Sequence, residues 1–181
     1  MTCASDYALL CTYLVKNYPD LLNHTKSPNI VVKKGTHFEE KFDTYQHSLE
    51  GAKYGLKGTD GIKTGSALKG FNYSSTAKRG DTRLVEIVLG VSTWEDQAGE
   101  DIRHLIGNAI MEKAFAEYEY KMILPKGKHI INEQKIITEE DFWDCVPKNQ
   151  DIPLTLESNK VKTNLERQYL PGHEAPQMWL L

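Results

Sequence analysis

The stretch Gly58-Thr59-Asp60-Gly61-Ile62-Lys63-Thr64-Gly65, followed by Phe71 to Ala77 and by Arg83 to Val91, decides how this chain folds. The three runs read as strands separated by Gly70 and by Arg79-Gly80-Asp81, so they predict an antiparallel meander. Within the third run, Leu84, Ile87, Val88 and Leu89 form a nearly continuous apolar series. Such a series predicts a strand covered on both faces, in the middle of a larger sheet.

Beyond the meander, Ser92-Thr93-Trp94-Glu95 has the capping-box pattern. Ile102, Leu105, Ile106, Ala109, Ile110 and Ala114 then mark one apolar face of a long helix that ends near Tyr118 and lies across the sheet. Upstream, Tyr7, Leu10, Cys11 and Leu14 recur at helical spacing between Ala4 and Asn17, with Thr2 or Ser5 as cap and Tyr18-Pro19 as the stop. Ile30-Val31-Val32, between Pro28 and Gly35, reads as a short strand. After a boundary at about Tyr120 the pattern changes to short β-like runs: Lys121 to Leu124, His129 to Ile131, Lys135 to Thr138, Leu154 to Glu157 and Lys160 to Thr163. Turns are expected at Asn132-Glu133 and Ser158-Asn159. Glu139-Glu140-Asp141 reads as an acidic helix start and Pro171 to Pro176 as a linker.

The formal charge of −3, with Lys and Arg scattered along the chain, leaves no basic footprint and excludes nucleic acid as an expected partner. No stretch approaches the ~20 apolar residues of a membrane span, and the start Met1-Thr2-Cys3-Ala4-Ser5-Asp6 lacks the pattern of a signal peptide. As written, the chain therefore has no expected route out of the cytoplasm. Cys3, Cys11 and Cys145 read as free thiols, and the six histidines form no pair at metal-ligand spacing, so surface or capping roles are their default. No metal and no cofactor are expected.

The neighbourhood of Lys63-Thr64-Gly65 carries more than the tripeptide does. Gly58 to Ser66, Phe71-Asn72-Tyr73, Thr76 to Gly80, Arg83-Leu84-Val85 and Val88-Leu89-Gly90 together resemble the third-motif strand and following hairpin of low-molecular-mass penicillin-binding proteins. These are serine-type D-alanyl-D-alanine carboxypeptidases, and the likeness is to the Gram-positive type. Thr2 to Leu10 is similar to the family's Thr-Ala-x-Asp helix start, Phe42 to Gly51 to the segment before the motif strand, and Gly107 to Phe115 to the last helix of the catalytic domain. Cys3, Ser5 and Gln46-His47 depart from the usual residues. The resemblance implies an α+β fold: residues 1–119 as the C-terminal part of a β-lactamase/transpeptidase-like catalytic domain, an antiparallel sheet with packed helices, and residues 120–181 as a small β-rich second domain.

That family trims the terminal D-alanine from peptidoglycan stem peptides through a serine acyl-enzyme and takes β-lactams as substrate mimics. The resemblance assigns substrate-binding roles here: Lys63 supplies positive potential, the Thr64 hydroxyl binds the substrate carboxylate, Gly65 admits the substrate backbone, and the Ser66 amide is an oxyanion-hole donor. Arg103 matches a position that helps hold the same carboxylate, against the alternative of an exposed arginine on a charged helix face. Tyr45 either lines the pocket or is a half-buried loop aromatic. Asp60 reads as a structural residue.

The nucleophile is expected to be absent. Ser66-Ala67-Leu68-Lys69 and Ser75-Thr76-Ala77-Lys78 spell Ser-x-x-Lys but fall on strand and turn, where residues three apart face opposite sides. Ser27-Pro28-Asn29 spells Ser-x-Asn but falls too close before Lys63. The expectation is therefore a chain inactive by itself, whose partners are a peptidoglycan stem peptide or β-lactam and the N-terminal part of a parent protein at the extracytoplasmic cell surface. The missing strands would leave an open sheet edge, through which the chain dimerises or swaps elements. Two other readings are a noncatalytic remnant or binding module of the cell-wall machinery, and a class A β-lactamase fragment, against which the extra β-rich segment argues.

Overall fold

Ala4–Asn17 forms the first helix, α1, in the computed structural model, which describes residues 2–180. Its cap is Cys3, not Thr2 or Ser5, and its buried pair is Cys11 and Val15 at i,i+4 spacing, while Leu10 turns outward. After a 3-10 turn, α2 (Leu22–Thr25) brings Thr25 Oγ1 to the Asp60 carbonyl at 2.9 Å. The expected strand at Ile30 is present as β1 (Asn29–Val32). It pairs with β2 (Glu40–Asp43), a partner that the sequence pattern did not show because none of its residues is buried.

The meander is present as β3 (Thr59–Ala67), β4 (Gly70–Arg79) and β5 (Thr82–Val91), in the order β3-β4-β5. Gly58 enters it with φ +81 where a Cβ would lie 2.3 Å from the Lys78 carbonyl oxygen, so only glycine fits. The central strand is the polar β4: Ser74, Ser75 and Thr76 are wholly buried, and their hydroxyls donate to the carbonyls of Lys63, Gly61 and Leu84. The apolar β5 lies instead at the end of the sheet among the described residues. Asp60 takes a bidentate pair of bonds from Arg83 across the sheet, both 2.8 Å, which makes it the structural residue expected.

α3 (Ala98–Glu117) starts later than the expected box, with Asp96 Oδ1 accepting from the Ala98 amide. Its orientation reverses the expectation. Gly99, Arg103, His104, Gly107 and Met111 are buried, and the apolar stripe faces out, with Leu105 50% and Ile106 40% exposed. The reason is close approach: a Cβ at Gly107 would lie 2.4 Å from the Tyr73 ring, so the helix meets the sheet on its glycines, and Arg103 finds acceptors there.

The chain divides into two compact units, Met1–Ala114 and Phe115–Leu181. In the second, β6 (Tyr118–Leu124) pairs with β9 (Phe142–Pro147), β7 (Gly127–Ile131) with β8 (Gln134–Thr138), and β10 (Leu154–Glu157), β11 (Lys160–Thr163) and β12 (Gln177–Trp179) form a third sheet. Asn132 and Glu133 both take positive φ, which a two-residue hairpin turn requires. Residues 139–141 start no helix and lead into β9, because Phe142, Asp144 and Val146 alternate inward as a strand does. Residues 171–176 form neither helix nor strand, and β12 follows them. Leu124, Ile131, Ile136, Phe142, Val161 and Met178 close one core from all three sheets. Beneath it, Asp144 is 1% exposed and held by Arg167 and Thr163. No described helix is long and apolar enough to cross a membrane.

Candidate functional site

β3 leaves one edge free of strand pairing among the described residues, and the Lys63-Thr64-Gly65-Ser66 run lies on it. Successive side chains alternate: Thr64 stands opposite Tyr73, on the α3 side, while Lys63 stands opposite Ser74, on the α1 side. Because β3 is an edge, both residues still reach the same opening. A cavity of about 430 Å³ is lined by Lys63, Thr64, Gly65, Ser66, Arg103 and Glu100, with Tyr45, Trp94 and Gln97 at its margin. A second, of about 460 Å³, extends from Lys63 and Thr64 toward Ser27 and Asp43. The Lys63 amine donates to the Thr64 carbonyl, and Tyr45 is an exposed loop aromatic that lines both cavities.

Arg103 is not an exposed surface arginine: it is 1% exposed. Its Nη1 donates to Gly65 O at 3.2 Å, Ser66 Oγ at 3.1 Å and Asn72 O at 3.2 Å, so the guanidinium ties α3 to the end of the motif strand. The Phe71 ring lies against it, 5.6 Å from centroid to guanidinium carbon. Burial lowers its pKa, opposed by the charges of Glu100 and Asp101. One Glu100 oxygen sits 3.7 Å from Arg103 Nη2 and 3.6 Å from His47 Nε2. The opening therefore has two cations, Lys63 and Arg103, against one carboxylate, a balance suited to a ligand bearing one negative charge.

His104 overturns the expectation that the histidines lie on the surface. It is fully buried, with Arg103 Nε donating to its Nε2 at 3.3 Å and Ser48 Oγ 3.3 Å from its Nδ1. Burial first, then the Arg103 charge, pull its pKa down to about 3, so the ring is neutral. Deeper still, both carboxylate oxygens of Glu86 and the Tyr73 hydroxyl are buried with no hydrogen-bond partner among the described residues. Burial raises the Glu86 pKa to about 7, and the neighbouring Tyr73 hydroxyl opposes that rise. Nothing in the sequence pattern pointed to this pair, since Glu86 interrupts an apolar run and Tyr73 reads as an ordinary strand aromatic.

The two Ser-x-x-Lys spellings lie where expected. Ser75 is buried in β4, and Ser66 lies on β3 with Lys69 in the turn after it. Neither places serine and lysine on one helix face. Ser27 borders the second cavity in a loop. Cys3, Cys11 and Cys145 are free thiols.

Residues 120–179 match the family described as Domain of unknown function (DUF1958). The chain as a whole is similar in structure to a peptidoglycan synthesis regulatory factor (PBP3) from Streptococcus pneumoniae. That match has TM-score 0.67 and 20% identity, and it covers 99% of this chain and 54% of that one. It is also similar to penicillin binding protein 6B from Escherichia coli, with TM-score 0.62, 18% identity and coverage of 96% and 47%. A third likeness is to the D-alanyl-D-alanine carboxypeptidase DacD from Francisella tularensis, with TM-score 0.50, 17% identity and coverage of 79% and 39%. The chain thus has the fold of part of these proteins and spans about half the length of the first two.

Proposed function

We propose that this chain supplies the carboxylate-binding wall of a D-alanyl-D-alanine carboxypeptidase acting on peptidoglycan stem peptides outside the cell membrane, and that the catalytic serine belongs to a part of the protein outside this chain. The observation that carries the reading is the convergence of Thr64, Ser66, Lys63 and Arg103 on one opening along the free edge of β3. Gly65 adds to it. A Cβ there would meet nothing within 4 Å, so no internal packing asks for glycine, whereas a peptide backbone lying along the strand edge does.

Titration of the isotope-labelled full chain with a diacetyl-Lys-D-Ala-D-Ala peptide should shift the amide signals of residues 63–66 at millimolar peptide. A single charge-assisted hydrogen bond contributes only about 1.5 to 3 kcal/mol, so tight binding is not expected. Thr64→Val should weaken that binding about tenfold, and amidating the peptide C-terminus should abolish it. Equal binding of the amidated peptide sinks the carboxylate assignment. A penicillin should leave the intact mass unchanged, because no serine is activated; a covalent adduct would show that one of the two strand serines is reactive.

We also infer that in isolation the chain associates through the unpaired edge of β5 and the outward stripe of α3, where Ile102, Leu105, Ile106 and Ile110 are all exposed. In the longer protein, the same surface would be covered by the remaining strands and helices. Sedimentation should find dimers or larger species at micromolar concentration, and Ile106→Glu should shift them toward monomer. A wild-type monomer at that concentration removes this inference.

A further inference from the structure

One face of the β6–β9 ribbon in the second unit has no function in the reading above. Register pairs Tyr118 with Pro147, Tyr120 with Cys145, and Met122 with Trp143, and these six side chains share one face with no charge among them. The opposite face carries Asp144 and Val146 into the core. Tyr118, Tyr120 and Met122 are exposed, and the others are half-buried. The Tyr120 and Trp143 rings stack at 5.5 Å with 21° between planes. Where the ribbon ends, Tyr118 and Pro147 also line a cavity of about 340 Å³ whose other walls are Gln150, Asn164, Leu165, Glu166 and Arg167. Arg167 is committed to Asp144, Thr163 and Tyr169, but the side chains of Gln150, Asn164 and Glu166 are exposed.

We propose that this face binds a neutral oligosaccharide chain, with sugar rings laid on Tyr120, Trp143 and Tyr118 and hydroxyl or acetamido groups reaching Gln150, Asn164 and Glu166. The chemistry favours this occupant. A pyranose presents an apolar C–H face and a polar rim, which matches aromatic side chains running into a cavity whose wall combines two amides and a carboxylate with Leu165 and the internally paired Arg167. An anionic lipid surface does not match: the platform has no basic residue, and acidic residues outnumber basic ones over 115–181. A second protein is a poor fit too, since the face comprises only three residue pairs of one two-stranded ribbon, whereas a standard interface takes ~800 Å² and about 20 to 30 residues per partner. The site lies wholly within the second unit and does not depend on the Lys63 opening.

The test is titration of the full chain with a tetramer of β-1,4-linked N-acetylglucosamine, read by intrinsic tryptophan fluorescence and by saturation transfer from protein to sugar protons. Binding at millimolar sugar or below is expected. Trp143→Ala and Tyr120→Ala should each weaken it at least tenfold, and Trp143→Phe should retain most of it. Trp179→Ala, on β12 and 61% exposed, should leave binding unchanged, as should Thr64→Val in the other unit. Far-UV circular dichroism checks that each variant is folded, and saturation transfer on the wild type reports aromatic contact even if the alanine variants unfold. The proposal is overturned by any of four results: no sugar binding, binding insensitive to Trp143 and Tyr120, vesicle binding that Trp143→Ala abolishes, or a dimer that Trp143→Ala disperses.

Discussion

Arg103→Ala is expected to destabilise the first unit by about 3 to 4 kcal/mol, a cost typical of removing one member of a buried, hydrogen-bonded charged network. Three acceptors lose their donor at once: the Gly65 and Asn72 carbonyls and the Ser66 hydroxyl. The space against Phe71 is also left empty. Arg103→Lys should recover less than half of the loss, because one ammonium cannot reach the three acceptors gathered around Nη1 and also replace the Nε–H that donates to His104. Urea unfolding at pH 7 measures both variants. The same substitutions separate strut from ligand contact: in folded Arg103→Lys, peptide binding should persist within a few fold if Arg103 mainly holds β3, and fall tenfold or more if it meets the carboxylate directly. Unchanged stability in Arg103→Ala would contradict the strut.

Glu86→Gln should stabilise the protein by about 3 kcal/mol above pH 7 and by almost nothing at pH 4. Glu86 has its folded pKa raised from 4.5 to about 7 by burial. Between those values the folded state binds a proton that the unfolded state has lost, so stability falls as pH rises through the window, and the amide removes that fall. His104 acts in the opposite sense. Its folded pKa is depressed from 6.5 to about 3, so the unfolded state gains a proton first on acidification and stability falls as pH drops below 6.5. Over roughly pH 4.5 to 6.5 the two slopes, each about 1.4 kcal/mol per pH unit, cancel. The wild type should therefore show a plateau there, and Glu86→Gln a curve that climbs from acid to neutral pH. Parallel wild-type and Glu86→Gln curves from pH 4 to 8 would refute an ionised, buried Glu86.

The meander, its turns and the two long helices were legible because local signals set them: Gly70, Gly80 and β-branched runs for the strands, helical spacing for α1. What faced where was not. The apolar series at Leu84 to Leu89 and the Ile102 to Ile110 stripe both satisfy the rules for core elements, yet they border surface that the described chain leaves open. The buried centre is instead Ser74-Ser75-Thr76 together with Gly107, Arg103 and His104, residue types that pattern reading places outside. β2 and β12 were missed because their neighbours, not their own composition, make them strands, and β9 because its acidic lead-in at 139–141 reads as a helix start and Asp144 breaks the apolar face that Phe142 and Val146 mark. Lys63, Thr64 and Gly65 could be singled out only through resemblance; composition and periodicity ask nothing of them.

The hydroxyl bonds from β4 also govern how the motif strand can fail. Ser74 and Ser75 grip two carbonyls of β3, and Thr76 grips one of β5, in addition to the ordinary ladder. Sliding β3 by one position would turn every one of its side chains to the other side and take the Lys63 and Gly61 carbonyls away from the buried Ser74 and Ser75 hydroxyls. Misalignment of the Lys63 strand is thus disfavoured by the buried strand beside it, and loss of these serines would show as heterogeneous alignment of the recognition edge before any loss of overall folding.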